Sequence, residues 1–189
     1  MLLSQLGGSS TESLRLDELA NALESLETCG YFIETLPEPF RWKWAIIALH
    51  QAIYGFAICA VRGTDSRSVL QPHKKDGSQD LIPVWGALRR AEDRRLIWAT
   101  ATPLGLTADE RWALERLFGE FRDGFVHFQP AGWSIQVVAM VEVFAVGVAV
   151  LRRLAVGNGL VLFVDELDGA RAQAAIARLE ALLTLQSSG

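Results

Sequence analysis

The chain has 189 residues, half of them hydrophobic, which is enough to bury the core of one domain. Its net charge of −4 and pI of about 5.4 exclude a general electrostatic pull on nucleic acid. Two cysteines, Cys29 and Cys59, are too few for a disulfide framework, and no Cys/His cluster has metal-ligand spacing, so free thiols are expected and neither a metal nor a cofactor.

Residues 1–10 carry no basic residue and no long apolar run, so they do not read as a secretory signal, and a cytoplasmic location is expected. Segments 44–61 and 135–151 are apolar enough to raise the question of a membrane span. The first contains His50 and Gln51 and the second Gln136 and Glu142, each costly in lipid. Buried core helices, or helices that meet a second subunit, are the expectation, and no membrane contact.

Leu16, Leu19, Leu23 and Leu26 recur at helical spacing and predict a first helix stopped by Gly30. After Pro37 and Pro39, a second stripe of Trp42, Ile46, Leu49, Ile53, Phe56 and Ala60 predicts a helix ended by Gly63. Residues 64–80 read as a mobile polar surface loop. A third helix opens near Pro83, with Val84, Trp85, Leu88 and Leu96 inward and Arg89, Arg90, Arg94 and Arg95 outward. Residues 100–106 connect it to a capping box, Thr107 with Glu110, that starts a long helix. Leu114, Leu117, Phe121, Phe125 and Phe128 line the inner face of that helix, and residues 129–132 close it. Ser134 is the expected N-cap of an apolar helix over 135–155. Gly157-Asn158-Gly159 turns the chain, and 160–164 fits a short strand or a helical extension equally well. Asp165 or Asp168 caps a last helix with the stripe Ala172, Ile176, Leu179 and Leu183, and residues 186–189 are expected to fray. The whole chain, 1–189, is therefore expected to form one all-α, up-and-down bundle of about five to six helices.

Chemistry concentrates at Arg122-Asp123-Gly124-Phe125-Val126-His127. A guanidinium, a carboxylate and an imidazole in an aromatic helix are costly to bury without partners. Asp123 and His127 are four apart and share a helix face, where the carboxylate can orient the ring. Arg122 and His127 are five apart, which turns them by about 140° on ideal helix geometry. They converge only if Gly124 loosens the helix or if a second copy supplies the opposite group across a two-fold axis. A cleft with two Arg and two His suits phosphodiester cleavage, with His moving protons and Arg holding the phosphate charge. The bland alternative is an Asp–His pair on a solvated helix surface. His50 reads as a core histidine with one hydrogen-bond partner or as an interface group, and His73 as solvated. No nucleophile elbow, phosphate loop or zinc pattern is present.

The Arg122, Asp123 and His127 pattern, late in an all-α chain, resembles the HEPN superfamily (higher eukaryotes and prokaryotes nucleotide-binding). Trp42-Lys43-Trp44-Ala45 and Leu49-His50-Gln51-Ala52-Ile53 resemble an early HEPN helix, and Phe128-Gln129-Pro130-Ala131-Gly132-Trp133-Ser134 resembles the continuation in bacterial stand-alone members. The resemblance spans roughly residues 36–154. It implies a homodimeric bundle with both motifs in one cleft. It also implies a metal-independent endoribonuclease of toxin or defence type that leaves a 2′,3′-cyclic phosphate. RNA or a nucleotide would be the substrate, and an antitoxin or other system component a partner. His127 would be the general acid/base, Arg122 the phosphate and transition-state stabiliser, and Asp123 the orienter of His127. Other members only bind nucleotides or protein partners, which is the alternative for this chain. It departs from some members at Tyr54, where an acidic residue is common. It departs again at Gln129, where toxins paired with a nucleotidyltransferase antitoxin often carry Tyr.

Overall fold

Helix α2 (Phe40–Arg62) is the axis on which most of the other helices pack. The computed structural model describes residues 17–127 and 132–187, and among them there is no strand, only an isolated antiparallel bridge between Leu70 and Leu81. The described residues form an all-α bundle of 6 helices. Every residue of the predicted α2 stripe is buried, and so are Ala45, Ala52, Ala57 and Ile58 on its other faces. By length and composition α2 is apolar enough to cross a membrane, yet most of it lies inside the bundle. Gly63, at φ 56°, ends it as expected.

Helix α1 (Glu18–Thr35) begins on the Asp17 carboxylate, which accepts the Ala20 N–H at 2.8 Å. It runs past Gly30, contrary to expectation. Gly30 is buried within the helix beside the side chains of Arg178 and Leu179 and does not end it. The stop comes at Leu36, held extended ahead of Pro37. Arg62 meets Glu18 at 2.7 Å and Cys29 Sγ donates to the Ala45 carbonyl at 3.3 Å, so α1 and α2 run antiparallel. The two come closest where a Cβ on Gly55 would lie 2.7 Å from the Ala22 Cβ.

A 3₁₀ turn (Ser66–Val69) follows, and the remainder of the polar loop folds back on itself. Gln71 N–H donates to the Asp80 carbonyl and Lys74 N–H to that of Ser78, both at 2.8 Å, and Arg90 donates to the Ser68 carbonyl. Helix α3 (Val84–Glu92) stops before Leu96, which is exposed and not inward. There the Asp93 carboxylate takes both the backbone N–H and the guanidinium of Arg95, making a turn in place of another helical turn.

Helix α4 runs unbroken through Ala108–Glu115, a π-helical Arg116–Arg122 and Asp123–Val126. Helix α5 comprises Val137–Arg152 and a π-helical Arg153–Gly157. It starts at Gln136, without a side-chain cap, so Ser134 is not the N-cap that the sequence suggests. Gly147 gives α5 its close approach to α2 and α4: a Cβ there would lie 2.9 Å from both Leu49 and Leu117. Asn158 and Gly159 turn the chain, and 160–164 is neither strand nor helix. Asp165 caps α6 (Glu166–Ser187) by accepting the Leu167 N–H at 2.9 Å. Ala172, Ile176 and Leu179 are buried, with Leu183 half-buried. Arg171 pairs with Glu27, and Arg178 with Glu34 seven residues along both helices, so α6 lies parallel to α1. Residues 1–16, 128–131, 188 and 189, with the expectations for Leu16, Phe128 and the last two tail residues, lie outside the described residues.

Gly55→Ala tests the α1–α2 approach. Alanine favours an isolated helix by about 1 kcal/mol, but the backbone of Ala22 stands 3.1 Å from the new methyl. A net loss of about 1–3 kcal/mol is expected in denaturant unfolding; a stabilised variant would contradict this packing.

Candidate functional site

The start of α4 is fixed from two sides. Thr107 accepts the Glu110 N–H and Glu110 accepts the Thr107 N–H, the reciprocal box predicted from sequence. The same Glu110 carboxylate takes a two-pronged contact from Arg153 at 2.7 and 2.8 Å, which ties the beginning of α4 to the end of α5. That contact, above all, holds the Glu110 carboxyl below the usual range. Further along, Arg116 pairs with Glu120 at 2.7 Å and lies over the Trp112 and Phe121 rings at 5.1 and 5.0 Å.

Leu114, Leu117, Phe118 and Phe121 are buried against α2 and α5. The π-helical stretch widens the turn beyond 3.6 residues, so Arg122 falls one widened turn below Leu117 and Phe118 and not off to the side. Its side chain is accordingly only 25% exposed, and its Nε is buried with no hydrogen-bond partner among the described residues. Nη1 donates to Asp123 Oδ1 at 2.6 Å; the Asp123 side chain is half-exposed.

The helix ends at Val126. His127 has left helical geometry, with φ −108° and ψ 56°, and its backbone N–H closes the last turn on the Asp123 carbonyl at 2.8 Å. Its ring is exposed. Among the described residues no hydrogen bond or ion pair joins the Asp123 carboxylate to the His127 ring. The expected Asp123–His127 pair is replaced by Asp123–Arg122, because the helix stops one residue short and the guanidinium is the nearer and fully charged partner. Gly124 does not loosen the helix. A Cβ there would lie 2.7 Å from the Trp133 ring, so the glycine makes room for the indole, which also meets Phe125 edge-on at 5.2 Å. Phe128 and residues 129–131, which carry part of the sequence resemblance, are outside the described residues.

The structure adds one residue to this group. His50 on α2 is 7% exposed, packs edge-on to Phe118 at 5.0 Å, and has a buried Nδ1 with no partner among the described residues, so the single hydrogen bond expected of a core histidine is not made there at that atom. Burial pushes its pKa down to about 4. The Arg122 charge acts in the same direction and the Asp123 charge opposes both, so His50 is neutral and sits within the field of the motif. A polar residue beside the α2 stripe is a visible signal in the sequence, but its neighbour across the bundle is not. Tyr54, one turn on, donates from its hydroxyl to the Ile82 carbonyl at 2.9 Å. His73 Nδ1 donates to the Gly77 carbonyl at 3.0 Å within the polar loop, away from this group.

Burial raises the Cys59 thiol to about 12 and places Cys29 well above the ordinary thiol range, so both stay protonated at neutral pH. Among the described residues no group of three or more His, Cys, Asp or Glu side chains is arranged to hold a metal. Comparison with protein-family models, curated proteins and solved structures finds no match to this chain.

The His50 environment predicts an acid sensitivity. The unfolded chain protonates this ring near the ordinary value of 6.5 and the folded chain near 4. Between those values the unfolded state binds more protons, so stability is lost as pH falls from 6.5 towards 4. The gap corresponds to about 3 kcal/mol. The unfolding free energy of wild type minus that of His50→Leu should therefore fall by up to about that amount between pH 7 and pH 4. A difference that does not change with pH would contradict a neutral buried ring.

Proposed function

We propose that the chain is a homodimeric HEPN-type protein that cleaves RNA without a metal, with Arg122 and His127 of two protomers forming one cleft. The observation that carries this reading is the contrast between the two groups. Arg122 is half-sunk and gripped at Nη1, while His127 is exposed at the end of the same helix. The first suits a fixed charge that binds a phosphate, and the second suits a group that exchanges protons.

In the cleavage step His127 takes the proton of the ribose 2′-OH as its oxygen attacks phosphorus. The P–O5′ bond breaks, and the departing 5′-oxygen takes its proton from water, to which the imidazolium returns the proton it took. The products are a 2′,3′-cyclic phosphate and a 5′-hydroxyl, and Arg122 offsets the charge on the non-bridging oxygens. Asp123 acts in this scheme on the guanidinium, which it touches, and not on the imidazole. A second copy is favoured by the apolar groups left exposed around the motif, Val126, Trp133 and Val138.

The Asp123–Arg122 pair also favours a second reading. It neutralises the one motif cation in a chain that is acidic overall, which suits a dimer that binds a nucleotide or a protein partner such as an antitoxin without cutting RNA.

The test is cleavage of a single-stranded RNA in EDTA. Wild type should leave cyclic-phosphate ends, and His127→Ala and Arg122→Ala should each lose at least about 100-fold in rate. Sizing at micromolar concentration should give a dimer. Inactive wild-type protein, or equal rates in wild type and both variants, would overturn the nuclease; a monomer would overturn the shared cleft. An inactive dimer that still binds nucleotide would establish the second reading.

A further inference from the structure

Towards the start of α4, a groove of about 230 Å³ runs between α4 and α5. Ala113 and Val143, both buried, form its floor with the half-buried Val146, and Asp109, Trp112 and Glu142 stand around it. Trp112 is 58% exposed, although the Arg116 guanidinium lies over its ring at 5.1 Å. Val138 stands one turn before Glu142 and is exposed to the same degree. The outer stripe of α5 therefore reads apolar, carboxylate, apolar at Val138, Glu142 and Val146. A large ring on such a stripe is more than a scattered surface residue.

The charges of the two helices are distributed unevenly. Every arginine on them is engaged: Arg111 with Glu92, Arg116 with Glu120, Arg122 with Asp123, Arg152 with Glu180 and Arg153 with Glu110. Among the described residues Asp109, Glu115 and Glu142 make no such pair, and two of these three carboxylates line the groove. Asp109 lies in the first turn of α4, where its charge suits the helix start; Glu142, inside α5, has no such local role. Its charge reaches Arg116, but that guanidinium is bound to Glu120. A second copy packed two-fold on the groove would set like charges against one another, which opposes association. A cation suits the groove instead, since it meets carboxylates and an indole ring while its aliphatic stem lies on apolar side chains.

We propose that this groove docks a basic, amphipathic helix of a protein partner. An arginine of that helix is held by Asp109, Glu142 and Trp112, and apolar residues one turn to either side rest on Val138 and Val146. The proposal does not depend on the nuclease reading, because none of these residues belongs to the Arg122–His127 motif.

The test uses the full chain and a capped, alanine-based helical peptide that presents leucine, arginine and leucine one turn apart. The same peptide with citrulline in place of arginine is the neutral control. In titration calorimetry the arginine peptide should bind at least about tenfold more tightly than the citrulline peptide. Asp109→Asn combined with Glu142→Gln should remove that preference, and Trp112→Ala should weaken the arginine peptide at least about threefold. Glu115→Gln, on the same helix but outside the groove, should change binding by less than about twofold. An arginine peptide that does not bind, equal affinities for the two peptides, or an equal loss in Glu115→Gln would overturn the proposal. Self-association that Trp112→Ala abolishes, with no peptide bound, would assign the groove to a second copy and overturn it as well.

Discussion

The burial of α2 on nearly every side is the constraint on which the structure depends. A helix surrounded by α1, α3, α4 and α5 must let its neighbours come close, and it does so through small residues: Gly55 against Ala22, and Gly147 of α5 against Leu49. It must also carry little that is polar. His50 is the exception among its buried residues, and the burial that surrounds it keeps the ring uncharged.

Helix α4 is shaped by two features that act together. The Glu110–Arg153 fork and the capping box fix where the helix begins. The widened turn at Arg116–Arg122 then sets which way its end faces, bringing Arg122 below the buried Leu117 and Phe118. Wide turns of this kind cost hydrogen-bond geometry and recur where a side chain has to be aimed. Here it half-buries a cation beside a neutral imidazole and a carboxylate.

Much of the fold was legible in the chain because it depends on local chemistry. The α2 stripe from Trp42 to Ala60, the Thr107–Glu110 box, the Asp165 cap and the Gly63 stop all follow from spacing and side-chain type. Two of the misreadings share one cause, that tertiary contact overrode a local signal. Gly30 looks like a helix stop but lies buried within α1 against α6, and Gly124 looks like a flexible point but is a seat for Trp133. Leu96 continues a helical stripe on paper, yet Asp93 folds back on Arg95 first. Of the candidate site, Arg122, Asp123 and His127 stand out in the sequence by type and spacing. Their arrangement does not, because it depends on a widened turn with no compositional mark and on a helix ending at Val126. His50 was visible only as a polar residue in an apolar helix, since nothing local states which helix faces it.

The shared cleft is the central claim, and mixing two inactive variants tests it most directly. A heterodimer of His127→Ala with Arg122→Ala retains one intact pair, the arginine of one copy and the histidine of the other. After subunit exchange, an equal mixture of the two should recover about a quarter of wild-type RNA cleavage, since half the dimers carry one of two sites. A mixture as inactive as its components, with exchange confirmed, would contradict a site built from two chains.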